Sequence, residues 1–209
     1  VGIFERRERE KESRRAAIVE SAEELFFDRG YERTKMADIA GRAELSKGAL
    51  YLYFRTKEDL ARAIVVRSYD VLIDLLKTER DKAVGGRAQA EALLQAFMRF
   101  YQDRYRNLYL TLVLEGYLRG AMVENDGWPE YFDRIEEIRV IAADVLRAGI
   151  AEGAFSLGMD PDRVAITVMT AAAGFLHRVV TFGHIMRRDD YAPEEMMDQL
   201  FVILKRALL

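Results

Sequence analysis

Lys47, Gly48 and Ala49, followed by Tyr51, Tyr53 and Lys57, gather two ammonium groups, two phenols and a nearly bare stretch of backbone within eleven residues. No nucleophile sits beside a base here, and no metal-ligand spacing appears. These groups suit recognition rather than bond making. Ammonium groups and phenol hydroxyls pair with anions, and small residues let a backbone come close to a flat surface. The expected chemistry is therefore non-covalent.

The elements that must position these residues are readable on either side. Ile18, Ala22, Leu25 and Phe26 recur on one face of a first helix, which Gly30 ends. Met36, Ile39, Ala40 and Ala43 mark a second. Ser46 is a good N-cap for a third. Thr56 with Asp59 three residues on is a capping box for a fourth, expected to run to about Lys77. Three short helices thus fall between Gly30 and Leu60. Leu50 and Phe54, one turn apart, anchor the third helix inward. Its Lys47–Ala49 tip and Tyr51, one turn beyond Lys47, then face outward. Tyr53 is placed to reach a phosphate from the flank, and Lys57 sits among the free N–H groups of a helix start. This is the form of a recognition helix entering a major groove. From Gly30 to Lys57 six basic residues face three acidic ones, on a chain whose net charge is −3. The positive end is the one expected to meet phosphates.

Gly30-Tyr31, Ile39-Ala40, Ser46-Lys47-Gly48, Leu50-Tyr51, Phe54 and Lys57-Glu58 with Leu60 resemble the signature of the TetR family of transcriptional regulators. The resemblance covers roughly Arg15 to Leu60. It implies a homodimer, double-stranded operator DNA, and a helical domain whose small-molecule ligand releases the DNA. Carried over by position, it implies DNA contacts at Thr34 or Lys35, Lys47, Gly48, Tyr51, Tyr53 and Lys57. Two positions depart from the family pattern. Lys35 stands where Ser or Thr usually caps the second helix, so either Thr34 takes over the cap or Lys35 serves a phosphate. Glu44 stands where the inter-helix turn usually has glycine, which predicts a strained positive φ.

The rest of the chain bounds the answer. There is no cysteine, which excludes disulfides and thiolate chemistry. Two histidines, His177 and His184, leave little for a metal site, and neither metal nor cofactor is expected. No uninterrupted apolar run reaches a membrane span and no signal peptide opens the sequence, so a cytoplasmic protein without membrane contact is expected. The run from Glu5 to Arg15 mixes acids and bases. It reads as a solvated helical extension stitched by i,i+4 pairs, with a basic DNA-reaching arm as the alternative.

Helical periodicity continues throughout, so the fold class is all-α with about nine helices. The expected organisation is a three-helix helix-turn-helix DNA-binding domain over 1–60, a linking helix over 57–77, and a C-terminal helical ligand-binding and dimerisation domain over 61–209. Arg80 to Gly86 reads as a loop. Helices are expected over Ala88–Tyr105 and Leu108–Leu118, the latter broken before Gly127, then from Pro129 to about Glu152, from Pro161 to about Met186, and from Pro193 onward.

Phe97, Phe100, Tyr101, Tyr109, Tyr117, Trp128, Phe132, Met169, Phe175 and His177 are the candidate lining of a pocket for an apolar or amphipathic molecule. The same residues also suit a plain core. The small-residue run Thr170 to Gly174, with the last helix, suits a homodimer formed through helices 161–186 and 194–208. Two other classes compete. One is an enzyme using Glu115, Asp133, Glu136 and Glu137, although no nucleophile–base pair accompanies them. The other is a helical module that binds a protein partner with its first four helices.

Overall fold

Apolar residues at helical spacing and only three prolines favour helix almost everywhere. In the computed structural model, residues 2–124, 128–156, 158–186 and 192–208 are described, and the regular elements among them are all helices. In chain order they are α1 Ile3–Arg29, α2 Met36–Arg42, α3 Lys47–Tyr51, α4 Lys57–Lys82, α5 Gly86–Asp103, α6 Tyr105–Glu124, α7 Pro129–Ala151, α8 Pro161–Met186 and α9 Pro193–Leu208. Each proline opens a helix, where its missing N–H costs nothing.

Two boundaries differ from the sequence reading. α4 runs on to Lys82, so the loop shrinks to 83–85. Arg80, Asp81 and Lys82 are ordinary helix residues, and Lys82 pairs with Glu79 one turn back. α6 extends beyond Leu108–Leu118 at both ends. Gly127, its expected breaker, lies outside the described residues.

The chain divides into two compact units, 1–68 with 113–127, and 69–112 with 128–209. α4 and α6 each contribute to both. In the first unit Ile18, Ala22, Leu25, Phe26, Ile39, Ala40, Leu50 and Phe54 are buried, as their spacing predicts, whereas Met36 and Ala43, assigned to the same faces, are half-buried.

The second unit is centred on Leu72, Ile73 and Leu76 of α4, Phe100 and Tyr101 of α5, Leu108 of α6, Ile138 and Ile141 of α7, Leu176 and Val179 of α8, and Met197 of α9. Here α5 and α7 meet backbone to backbone. A Cβ on Gly86 would lie 2.1 Å from the Gly149 nitrogen, so only glycine fits. The Gly86 N–H donates to the Glu152 carboxylate at 2.7 Å, giving a free donor of the α5 start an anionic acceptor. α8 adds one feature to the sequence reading. By length and composition Pro161–Gly183 is apolar enough to cross a membrane, which counting consecutive apolar residues missed because Thr, His and Arg interrupt it. One third of its most apolar 18-residue window is buried within the chain.

Candidate nucleic-acid interface

α2 and α3 form the helix-turn-helix, and each local device in the sequence finds its partner. The Ser46 hydroxyl accepts from the Ala49 N–H at 3.1 Å and caps α3. Thr56 and Asp59 exchange bonds, the Asp59 N–H donating to the Thr56 hydroxyl at 3.0 Å and the Thr56 N–H to the Asp59 carboxylate at 3.1 Å. In the turn, Glu44 takes a φ of 56°, the strained conformation its position predicts.

Leu50 and Phe54 are buried on the inner side of this short segment, while Lys47 and Gly48 are exposed on its outer side. Tyr51 is 49 % exposed, and Leu52, which sequence reasoning did not single out, is 85 % exposed. Tyr53 is half-buried, Ala49 likewise, and Lys35 and Arg55 are exposed. A Cβ on Gly48 would meet only the Ser46 hydroxyl, at 4.0 Å. No internal contact therefore requires glycine there, and the space it leaves open is on the outside.

Two expected DNA contacts turn inward. Thr34 is 1 % exposed, and its hydroxyl donates to the Leu25 carbonyl at 3.2 Å and the Gly30 carbonyl at 2.9 Å. It fastens the start of α2 to the end of α1, and neither reaches outward nor caps α2. The cap is half made instead, by the Lys35 N–H donating to the Asp38 carboxylate at 3.0 Å. Lys57 likewise spends its ammonium inside. It donates to the carbonyls of Tyr31 at 2.8 Å, Glu32 at 3.3 Å and Thr34 at 3.3 Å, and lies 4.2 Å from the centre of the Tyr31 ring. Three carbonyls match the three protons of an ammonium, so this group holds the α1–α2 turn and has none left for a phosphate.

Tyr31, which the sequence reading did not assign a role, is the hub of that turn. Its hydroxyl donates to Glu58 at 3.1 Å, and its ring meets Phe26 edge-on and Tyr117 of α6 at 5.1 Å. Burial, then the neighbouring Glu58 charge and its hydrogen bond, raise the Tyr31 hydroxyl above the ordinary tyrosine range, so it stays a donor at any physiological pH. The positive charge of the segment is also thinner than the residue count suggests. Arg42 is paired with Glu24 and Lys57 turns to the α1–α2 carbonyls, which leaves Arg33, Lys35, Lys47 and Arg55 facing solvent.

The ten candidate ligand residues do not surround one site. Phe97, Phe100, Tyr101, Met169 and Phe175 do meet, in the core of the second unit. Tyr109 is half-buried, in a chain of rings with Tyr105 and Tyr101. Trp128 is buried and meets Tyr131 edge-on. Tyr117 instead belongs to the first unit, stacked on Tyr31. Phe132 is 53 % exposed, and His177 is exposed, on the outer face of α8. Helical spacing identified these rings as apolar but did not say which sides of their helices point inward.

Comparison with known proteins agrees with this geometry. Residues 18–64 match the family described as bacterial regulatory proteins, tetR family. The chain is 33 % identical over 108 residues to the HTH-type transcriptional activator FasR of Mycolicibacterium smegmatis, an alignment spanning 48 % of this chain and 49 % of that protein, about half the length of each. It is 28 % identical over 182 residues to the HTH-type transcriptional regulator TtgR of Pseudomonas putida, covering 84 % of each. Among solved structures, the regulator FadR from Bacillus subtilis in complex with stearoyl-CoA superposes with a TM-score of 0.66 at 16 % identity, over 93 % of this chain and 99 % of that one. The two sequence relatives are named as transcriptional regulators.

Proposed function

We propose that the protein is a ligand-responsive repressor of the TetR type that binds a near-palindromic operator as a homodimer, a reading supported by the match of residues 18–64 to the tetR family of bacterial regulatory proteins. The observation that carries the reading is the two-sided recognition segment. Leu50 and Phe54 are buried while Lys47, Gly48, Tyr51 and Leu52 are presented outward. Lys47, Gly48, Ala49 and Tyr51 take the base edges and nearby backbone, and Lys35 and Tyr53 take flanking phosphates.

Dimerisation through α8 and α9 is supported by what these helices leave uncovered. Ile166, Thr170, Ala173, Gly174 and His177 share one exposed face of α8, and Val202 and Ile203 are exposed on α9. A Cβ on Gly174 would touch nothing within 4 Å, so this small residue is not there for packing within the protomer. A second copy of the same two helices would bury this face in a four-helix contact.

The ligand is apolar or amphipathic and enters among Phe97, Phe100, Tyr101, Met169 and Phe175. These side chains present no charge and one phenol, Tyr101. α4 and α6 belong to both units, and α6 carries the Tyr117 that stacks on Tyr31, so a rearrangement of the core moves helices that also hold the DNA-binding turn. A DNA partner supports a cytoplasmic location.

Selection of bound duplexes from a random pool tests the reading, repeated with long-chain acyl compounds as first probes. A near-palindromic sequence is expected, with retention weakened by at least one probe. Recovery of an unrelated set of sequences, or a monomer by light scattering at micromolar concentration, contradicts it. If every apolar probe leaves operator affinity unchanged, the ligand assignment fails while DNA binding stands.

A further inference from the structure

α1 is 27 residues long, yet only its second half packs into the first unit. Its contacts fix how the helix-turn-helix is laid out along it. Thr34 ties the start of α2 to Leu25 and Gly30, and Arg42 ties the end of α2 to Glu24. Arg15 lies with its guanidinium 4.8 Å from the ring centre of Phe54, just beyond α3. At Arg15 the helix-turn-helix has run out, but α1 continues for twelve residues toward its N-terminus, roughly 18 Å at helical rise.

Winding this segment into a helix sorts charges that alternate in sequence. Arg7, Lys11 and Arg14 lie four and three residues apart, and the same spacing leads on to Ile18, Ala22 and Leu25. The stripe that is apolar where α1 covers the helix-turn-helix therefore becomes basic where it extends past it. Glu5, Glu8 and Glu12 form a separate acidic stripe on the neighbouring flank. Arg6 pairs with Glu10 at 3.5 Å and Arg9 donates to the Glu5 carbonyl at 3.4 Å, on yet another side. Arg7, Lys11 and Arg14 are exposed and form no ion pair among the described residues.

We propose that the projecting half of α1 is a second DNA-backbone contact, in which Arg7, Lys11 and Arg14 follow the phosphates that lie past the groove occupied by α3. The proposal rests on the reading of this chain as a DNA-binding regulator and extends its footprint. The occupant follows from the charge of the stripe, from its continuity with the face of α1 that carries the recognition segment, and from its length. Eighteen ångströms is roughly five base pairs of duplex at ~3.4 Å each. Guanidinium and ammonium groups on an exposed helix contact phosphate without reading sequence.

The test compares wild type with a triple variant, Arg7→Gln, Lys11→Gln and Arg14→Gln, and a control, Glu5→Gln, Glu8→Gln and Glu12→Gln. Affinity is measured against salt on the selected operator and on an unrelated duplex. Glutamine keeps helix propensity, and far-UV dichroism checks it. The basic-stripe variant should lose affinity by a similar factor on both duplexes, and its slope of log K against log salt should fall by about 3 per protomer. The acidic-stripe variant should keep the wild-type slope. A basic-stripe variant with wild-type slope, while the wild type binds its operator, overturns the proposal and leaves the regulator reading intact. A wild type that selects no DNA overturns both. Hydroxyl-radical footprinting of the wild type is a second readout. Protection should extend about half a helical turn past the α3 site, and protection confined to that groove counts against the contact.

Discussion

The two units of this chain make their surfaces in opposite ways. The DNA-binding turn is set by partners close in sequence: Ser46 with Ala49, Thr56 with Asp59, and Thr34 with Gly30. The core of the second unit is drawn from six helices between Leu72 and Met197 and has no local signature. Where caps and turns fix the backbone, residue types in sequence go far toward dictating which groups face out, with Thr34 and Lys57 the exceptions. Where packing over long separations decides, residue type gives only apolarity.

One substitution made in both units separates these regimes most sharply. Gly86→Ala drives a methyl into the backbone of Gly149, which has no rotamer to change. The expected loss of stability is roughly 3 kcal/mol or more, at the upper end of overpacking costs, read by urea or thermal unfolding. Gly48→Ala meets open space. It should leave stability unchanged or raise it by up to about 1 kcal/mol through helix propensity, while weakening operator binding because the groove comes too close. A destabilised Gly48→Ala protein, or one with full DNA affinity, would erase the contrast.

Lys57 provides the next largest effect and decides between two readings of one residue. Position alone suggested a phosphate contact, whereas its ammonium is saturated by the carbonyls of Tyr31, Glu32 and Thr34. Lys57→Ala should cost about 1–3 kcal/mol of stability, since two part-buried carbonyls, those of Tyr31 and Thr34, and the exposed carbonyl of Glu32 lose a charged donor. A variant of unchanged melting temperature whose salt slope alone falls by about 1 would restore the phosphate role.

The smallest effect lies in the ion network of α7 and α8. Asp162 bonds to Arg147 and Arg139. The hydrogen bond from Arg147 chiefly, and that from Arg139, hold its carboxyl below the ordinary aspartate range against the opposing effect of desolvation. A carboxyl depressed in the folded state stabilises above its unfolded pKa, and that contribution disappears as pH falls through the folded value. Asp162→Asn should therefore lower the melting temperature slightly at neutral pH, and the gap from wild type should close in strong acid. A gap that widens on acidification would refute the assignment.

The same division explains how much was legible in the sequence. Helix number, the proline starts and the caps at Ser46 and Thr56 follow from short-range rules, while the positive φ of Glu44 follows from the family resemblance, which places a glycine there. Thr34 and Lys57 turn inward because a donor at those positions serves a phosphate outside or a carbonyl inside equally well, and only the path of the turn chooses. Tyr31 stands in the family signature but carries no assigned role in the sequence, because its partners Glu58 and Tyr117 lie 27 and 86 residues away. Of the ligand candidates, Phe97, Phe100, Tyr101, Met169 and Phe175 meet. Tyr117, Phe132 and His177 do not join them, because apolar spacing does not record which helices become neighbours.

The central claim is that the outward face of α3 reads bases, while its inward face only holds the fold. The direct measurement is the affinity of Lys47→Ala and Tyr51→Ala for the selected operator and for a scrambled duplex, beside their melting temperatures. Each should lose about 1–3 kcal/mol on the operator and less on the scrambled duplex, so that the specificity ratio falls, with unfolding displaced by no more than about 0.5 kcal/mol. If both variants keep the wild-type ratio between the two duplexes, α3 is not the reading helix.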